Sequence, residues 1–391
     1  MADSRDCGGS FESPHVVDAT MFWSATGGGV RRYLQAKHGW LARHTRWRHT
    51  IAAPVADSPD IVALPSLPFP GSGGYRLPLN RQSLAAALVR LEPDLIEAGD
   101  PYRLAWSVLD AAQALQIPAL AFCHSNLELL ARHAGGRRLG GAAARAARRY
   151  ARHLYDPFDL VLAPSESMRR HLLDWGVPHV ARQPLGVDTE RFHPQRASPM
   201  WRNGLALPLG TRLLVYAGRF AAEKNLSVLT AALHELGPRY VLLAIGAGPM
   251  PPSGERVIVR PHLGSADELA TALASADAFV HAGDQETFGL SVLEAMACGT
   301  PVVARGAEGL AELVDESVGV AVPMGTPDAF AAAIAGLFES DLAERAAAAR
   351  QRAEAYDWDR VLPAMLTHYR RLLRADSRGV PALQPHAASG S

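Results

Sequence analysis

The stretch His281-Ala-Gly-Asp-Gln-Glu286-Thr-Phe-Gly289-Leu-Ser-Val-Leu-Glu294-Ala-Met-Ala-Cys-Gly299-Thr-Pro301 decides how the rest of the chain is read. It starts at the end of an apolar run, Ala278–His281, expected as a strand. It then passes a loop with Gly289 and enters a short helix. A helix start presents unpaired amides and a partial positive charge, which suits a diphosphate. Glu286 stands in the loop before that helix, and Glu294 about a turn and a half inside it. Two carboxylates flanking an anion site fit a ligand with phosphates in its middle and hydroxyls at both ends, as in a nucleotide sugar. The residues alone leave open a plainer reading, with Glu294 a solvated helix residue and Glu286 a loop charge.

Working outward, short apolar runs alternate with helical patterns, which is the signature of βαβ units and parallel sheets. On the near side the expected strands are Arg212–Ala217, Tyr240–Ile245, Val257–Arg260, Ala278–His281 and Pro301–Ala304. In the first half they are His15–Asp18, Thr50–Pro54, Ile61–Pro65, Leu95–Ala98, Ala119–His124 and Leu160–Pro164. The segment Gln183–Pro194 reads as a linker. The fold class is therefore α/β, with two doubly wound domains facing across a cleft. Ligands in such sheets sit outside the carboxyl ends of the strands.

A second motif, Val215-Tyr-Ala-Gly218-Arg219-Phe-Ala-Ala-Glu223-Lys224-Asn225-Leu226, follows an expected strand and opens a helix. Gly218 permits a tight exit from the strand. Arg219 and Lys224 place a guanidinium fork and a compact ammonium at the strand's carboxyl end, where a leaving diphosphate needs them. The chain has 37 arginines and only two lysines, Lys37 and Lys224, so a lysine here stands out. Surface charge with Asn225 as a helix N-cap is the other reading.

Together the two motifs resemble the C-terminal domain of family-4 retaining glycosyltransferases of the GT-B fold. Gly218-Arg219-x-x-x-Glu223-Lys224-Asn225 is similar to that family's phosphate-binding turn, and Glu286 to Glu294 to its E-x7-E signature. Val241–Gly248 and Glu308-Gly-Leu-Ala-Glu312 resemble two further stretches, in order, so the likeness covers most of residues 183–375. Glu308 departs from it, standing where the family often has a second glycine. The resemblance implies that Arg219 and Lys224 hold the diphosphate, Glu286 the hydroxyls of the transferred sugar and Glu294 the ribose hydroxyls. Gly218, Phe288, Gly289 and Leu290 would line the donor, with the base near Arg260–His262. Among the catalytic candidates it also places His124, as a histidine facing the donor sugar, although a strand-end histidine is commonly structural. In the first half Thr26-Gly27-Gly28-Gly29-Val30 matches the family's glycine loop, with Gly28 and Gly29 as donor-binding positions; an ordinary turn would read the same.

The expected domains are residues 1–188 for the acceptor, 189–358 for the nucleotide sugar, a helix at 359–376 returning to the first domain, and a disordered tail at 377–391. Asp357-Trp-Asp359 looks like a metal pair but falls between two helices, where Asp caps and Trp packs. No metal and no cofactor are expected beyond the donor itself. Ala131–His153 holds seven arginines and no acid. Arg145, Arg148, Arg149 and Arg152 follow i, i+3, i+4, i+7 spacing and share one helix face, with Ala146, Ala147, Tyr150 and Leu154 mostly on another. That basic face would meet a membrane or an acidic acceptor; a solvated face is the commoner case.

Charged residues balance at 39 of each sign, which disfavours a nucleic-acid partner. Three scattered cysteines and no apolar signal or spanning segment point to the cytoplasm, at most peripheral on the inner face of the membrane. The implied reaction moves a hexose, of mannose or glucose type, from a nucleotide-diphosphate sugar to a hydroxyl of a glycan or lipid-linked acceptor. GDP-mannose and UDP-hexoses are the family's frequent donors. Three alternatives differ in test: an epimerase converts donor without acceptor, a phosphorylase requires orthophosphate, and a non-catalytic binding protein does neither.

Overall fold

The structure is a computed structural model that describes residues 13–23, 28–69, 76–261 and 265–376. The tail at 377–391, Thr26 and Gly27 of the glycine loop, Cys7 and His262 lie outside them. In chain order the strands are β1 (His15–Ala19), β2 (Arg48–Ala53), β3 (Ile61–Ala63), β4 (Ser66–Pro68), β5 (Arg76–Pro78), β6 (Leu95–Ala98), β7 (Ala119–Phe122), β8 (Leu160–Ala163) and β9 (Val180–Arg182). They continue as β10 (Arg212–Ala217), β11 (Tyr240–Ile245), β12 (Val257–Arg260), β13 (Ala278–His281), β14 (Val302–Arg305) and β15 (Gly319–Val322).

One sheet runs β3-β2-β1-β6-β7-β8-β9 and another β12-β11-β10-β13-β14-β15. Every neighbouring pair of the second sheet is parallel, as are β1–β2, β1–β6, β2–β3 and β6–β7 of the first. Both orders reverse direction once, between β1 and β6 and between β10 and β13. At such a reversal the loops part and leave a crevice at the strands' carboxyl ends. The two motifs of the second half leave β10 and β13, the two strands beside that point.

The strands of the second sheet are continuous apolar runs because helices cover both faces. On one face Leu214, Tyr216, Leu242, Ala244 and Val280 pack with Leu229 and Leu233 of helix Leu226–Leu236 and with Phe330 and Ile334 of helix Pro327–Leu337, and on the other Leu213, Val215, Leu243 and Phe279 are buried as well. The chain forms two compact units. Of the described residues, one comprises those up to Phe122, Pro157–Val161 and Leu366–Asp376, and the other comprises Cys123–Asp156 and those between Leu162 and Met365. The last helix, Trp358–Asp376, therefore begins in the second unit and ends in the first.

Several local expectations are corrected. The strand expected to reach His124 stops at Phe122, because Asn126 accepts from the Leu129 amide and caps a helix at Leu127–Ala134. The arginine-rich stretch is accordingly two helices, Leu127–Ala134 and Gly136–Tyr155. They cross so closely that a Cβ on Gly140 would lie 2.5 Å from the Arg132 carbonyl. The inner side of the longer helix is Ala144, Ala151, Leu154 and Tyr155, while Ala146 and Tyr150 are exposed. Asp357 does more than start the last helix: its carboxylate accepts from the Asp359 amide and from the Thr189 hydroxyl, tying the linker down.

In the first unit Asp18 of β1 and Glu97 of β6 are register partners on adjacent strands. Two buried carboxylates side by side require a cation, and Lys37 of helix Gly29–His44 supplies it. Its ammonium, 1% exposed, donates to Asp18 Oδ1 at 2.7 Å, Glu97 Oε2 at 3.3 Å and the Tyr369 hydroxyl at 2.5 Å. Tyr369 and Tyr33 donate to the two oxygens of Glu97, and the His49 ring meets Asp18 Oδ2 at 2.7 Å. Tyr369 belongs to the last helix, so this knot fastens that helix's end to the first unit.

Candidate active site

Strand β10 ends where Gly218 adopts φ 155°, and the turn is threaded against the next one. A Cβ on Gly246 would lie 1.9 Å from the Gly218 carbonyl, and one on Gly248 2.4 Å from that of Phe220. The Gly218 and Phe220 amides donate to Ile245 and Ala247 carbonyls. Only glycine fits such contacts, so the turn after β10 has one course. Tyr216 is buried in the strand and donates from its hydroxyl to the Arg219 carbonyl at 2.9 Å.

The turn then delivers two cations to different places. Lys224 points inward and binds Glu286 Oε1. Arg219 is 64% exposed and pairs with Glu223 at 3.1 Å. Asn225 is left-handed, and its side chain does not cap the following helix. It donates instead to the Ala282 carbonyl at 3.3 Å, joining the first motif to the second.

At the end of β13, His281 is 1% exposed and its Nε2 lies 3.1 Å from the same Glu286 oxygen that Lys224 holds. Burial alone would raise the Glu286 pKa, but the Lys224 ammonium and the His281 hydrogen bond outweigh it. The carboxyl is held well below the usual carboxylate range. Gly289 opens helix Leu290–Ala297 at φ 103°, and a Cβ there would strike Leu310 at 2.4 Å. Phe288 is buried edge-on to Tyr356, with ring centroids 5.7 Å apart, and Leu290 is half-buried. Glu294 is a carboxylate 3% exposed inside that apolar helix.

Of the sequence-derived residues, Gly218, Lys224, Glu286, Phe288, Gly289, Leu290 and Glu294 assemble at the carboxyl ends of β10 and β13. His124 joins them by its backbone, its carbonyl accepting from the Thr287 hydroxyl at 3.1 Å. Gly28 and Gly29 lie in the first unit, where Gly28 (φ 146°) leads into the first helix. Of the expected base contacts, Arg260 closes β12.

The Glu308–Glu312 stretch supports the loop from behind. The Gly309 amide donates to the Glu286 carbonyl, and a Cβ on Gly309 would lie 2.5 Å from Thr287 O. Glu308, at φ 50°, occupies a left-handed position that glycine fills at less cost, and its carboxylate takes the His171 ring at 3.0 Å. Glu312 accepts from the first amides of helix Glu166–Asp174, at 2.9 and 2.6 Å.

Sequence reading assigned no role to His281. Its signal was its position as the last residue of a buried strand, five residues before a carboxylate.

A family model described as Glycosyl transferases group 1 matches residues 211–340, and one described as Glycosyltransferase Family 4 matches residues 27–191. The GDP-mannose-dependent alpha-mannosyltransferase of Mycobacterium tuberculosis (strain CDC 1551 / Oshkosh) is 31% identical over 318 residues, covering 78% of this chain and 80% of that protein. The protein of the same description from Mycolicibacterium smegmatis is 32% identical over 338 residues, covering 82% and 86%. A GDP-mannose-dependent alpha-(1-6)-phosphatidylinositol dimannoside mannosyltransferase of M. tuberculosis (strain ATCC 25177 / H37Ra) is 30% identical, covering 78% and 81%. Among solved structures, sucrose-phosphate synthase from Thermosynechococcus elongatus superposes with a TM-score of 0.74 at 22% identity, over 93% of this chain and all of that one. Anabaena HepE in complex with UDP and glucose gives 0.73 at 18%, over 92% and 100%. The fold is GT-B.

Proposed function

The chain belongs to glycosyltransferase family 4 and is a glycosyltransferase, and from that premise we propose that it transfers mannose from GDP-mannose to a hydroxyl of a lipid-linked or glycan acceptor, with retention and without a metal. The observation that carries the reading is the Lys224–Glu286 pair at the point where the second sheet reverses, facing a glycine-opened helix start. The choice of donor draws support from the names of the mannosyltransferase relatives.

In this reading the acceptor oxygen bonds to the anomeric carbon on the face from which the diphosphate leaves. The acceptor proton passes to the departing diphosphate oxygen. Arg219, Lys224 and the amides at Gly289 take up the charge that develops there. Glu286 positions sugar hydroxyls and Glu294 those of the ribose. No side chain is assigned as a covalent nucleophile.

The test is nucleotide release from GDP-mannose, UDP-glucose and ADP-glucose, with and without acceptor lipid and EDTA. GDP release that requires acceptor and ignores EDTA is the expected result. Release from UDP-glucose alone would replace the donor, and abolition by EDTA would end the metal-free reading.

The proposed workplace is the inner face of the membrane. Among the described residues no helix is long and apolar enough to cross one. Two features support a peripheral contact. On helix Gly136–Tyr155, Arg145, Arg149 and Arg152 are exposed, while Arg148 is half-buried with its Nε 3.5 Å from Glu128. The β4–β5 ribbon turns Leu67, Phe69, Leu77 and Leu79 outward at 57%, 51%, 50% and 38% exposure, within a segment, 61–91, of three arginines and no acid. Vesicles of phosphatidylcholine with phosphatidylglycerol should co-sediment the protein, and salt should release it. Each exposed arginine near such a surface contributes about 1 kcal/mol, so Arg145→Glu with Arg149→Glu should weaken binding by tenfold or more. Unchanged sedimentation of that variant would remove the helix from the contact.

A further inference from the structure

We propose that His281 is a positioning residue of the transferase. Its imidazole, together with Lys224, occupies one oxygen of Glu286 and thereby presents the other to hydroxyls of the donor sugar. The inference rests on the reading of Glu286 as the sugar-holding carboxylate.

The ring's tautomer follows from its two contacts. Its Nδ1 accepts from the Gly283 amide at 3.2 Å, so that nitrogen carries no proton. Nε2 is then the N–H, and it lies 3.1 Å from Glu286 Oε1. In this arrangement the imidazole is neutral and acts as a hydrogen-bond donor. Lys224 binds the same Oε1. No protein donor among the described residues reaches Oε2, and the Glu286 side chain retains 20% exposure through which a ligand has access. The carboxylate is thus divided between protein and solvent. A carboxylate offers acceptor sites on both oxygens, and one oxygen that stays put suffices to receive vicinal hydroxyls.

The ring is 1% exposed and packed beside two aromatic side chains. It ends a fully buried strand and lies between Phe279 and Tyr216, at centroid distances of 6.4 and 5.7 Å. A Cβ on Gly283 would come within 2.8 Å of His281 Cε1 and 3.1 Å of the Glu223 carbonyl. Gly283 therefore lets the loop close over the imidazole and brings the Glu223–Lys224 turn against it. The arrangement leaves Lys224 with protons to spare. An ammonium has three, and a second donor on Oε1 means that Lys224 can turn toward a diphosphate without releasing the carboxylate from its place.

The titratable and charged groups around Glu286 are Lys224, His281 and Tyr216, with Arg219 and Glu223 farther along the same turn. Loss of the imidazole removes one of the two groups that keep Glu286 ionised. The carboxyl pKa should then rise, and the acid limb of the kcat/KM profile should move to higher pH.

The experiment compares His281→Leu, His281→Gln and Glu286→Gln with wild type on the nucleotide sugar that wild type turns over, alongside calorimetric binding of the free nucleotide diphosphate. A hydrogen bond to a charged group, when lost, corresponds to about a tenfold to hundredfold drop, expected in kcat for His281→Leu. Free nucleotide, having no sugar, should bind within about twofold of wild type. The glutamine amide can reach the Nε2 position, so His281→Gln should recover most of the loss and restore the acid limb. Wild-type kcat and an unmoved acid limb in His281→Leu would overturn the proposal. So would equal losses in kcat and nucleotide binding that glutamine does not repair, the mark of a merely structural histidine. Full activity in Glu286→Gln would instead overturn the reading of the site on which the proposal rests.

Discussion

Lys224→Met and Glu286→Gln are each expected to lower kcat by about 10²- to 10³-fold, the usual loss when one preorganised group facing developing charge is removed. Lys224→Met should also lower the melting temperature, because it leaves a mostly buried carboxylate with His281 as its remaining partner, whereas Glu286→Gln leaves a neutral amide there. The two substitutions probe different parts of the ligand. Lys224 faces the departing diphosphate, so its loss should also weaken binding of free GDP. Glu286 faces the sugar, so its loss should spare GDP binding and appear in turnover. Since Lys224 binds Glu286 directly and the two act as one unit, the double variant should lose far less than the product of the single losses. A Glu286→Gln enzyme that turns over normally would remove the carboxylate from the mechanism. Near-normal Lys224→Met would shift the burden to Arg219, which is paired with Glu223 and mostly exposed.

The parts of this site that could be read in the chain are those that local physics compels. Gly218, Gly246 and Gly289 hold positive φ, and Gly246 and Gly248 lie against backbone that excludes any Cβ, so the turns at the strand ends are written into the sequence as glycines. The strands of the second sheet are buried on both faces and read as unbroken apolar runs; β10, β11, β12 and β13 lie at their expected limits. What did not show is pairwise. Nothing in the sequence says that His281 and Lys224 meet on one oxygen, because the turn that joins them is set by Asn225 reaching Ala282 across 57 residues. Strands β4 and β5 carry Pro68 and Pro78 and are three residues long, so they read as loop. The arginine-rich segment shows its charge plainly but not its fold. Its inner face depends on the glycines at 135 and 140, which let two helices cross at backbone distance. Lys37 was noticeable only for its rarity, and its role emerges from the pairing of β1 with β6.

Lys37→Met is the substitution expected to cost most in stability. Removing one partner of a buried charge cluster leaves the others uncompensated and costs about 3–5 kcal/mol. Here the remainder would be Asp18 and Glu97, register partners on adjacent strands, each about 1–2% exposed. At roughly 2–4 °C per kcal/mol for a unit of this size, the melting transition should fall by about 6–20 °C. The cluster also gives stability a pH dependence with two edges. Burial would raise Asp18, but Lys37 and His49 outweigh it and bring its pKa down to about 2. Its contribution is present above the unfolded value near 4 and is lost as pH falls through about 2. Burial raises Glu97 to about 7, beyond what Lys37 offsets, with Asp18 adding to the rise. Its contribution is complete below the unfolded value near 4.5 and is lost as pH rises through about 7. His49, which burial lowers, gives a slope of the opposite sign, so the wild-type curve alone mixes the two. The difference between wild type and Glu97→Gln isolates the carboxyl. Melting temperatures followed from the unfolded value near 4.5 up to about 7 should show wild type losing ground to the glutamine variant as pH rises. Parallel curves would mean that Glu97 is already ionised at the lower limit, held there by Lys37 and the hydroxyls of Tyr33 and Tyr369.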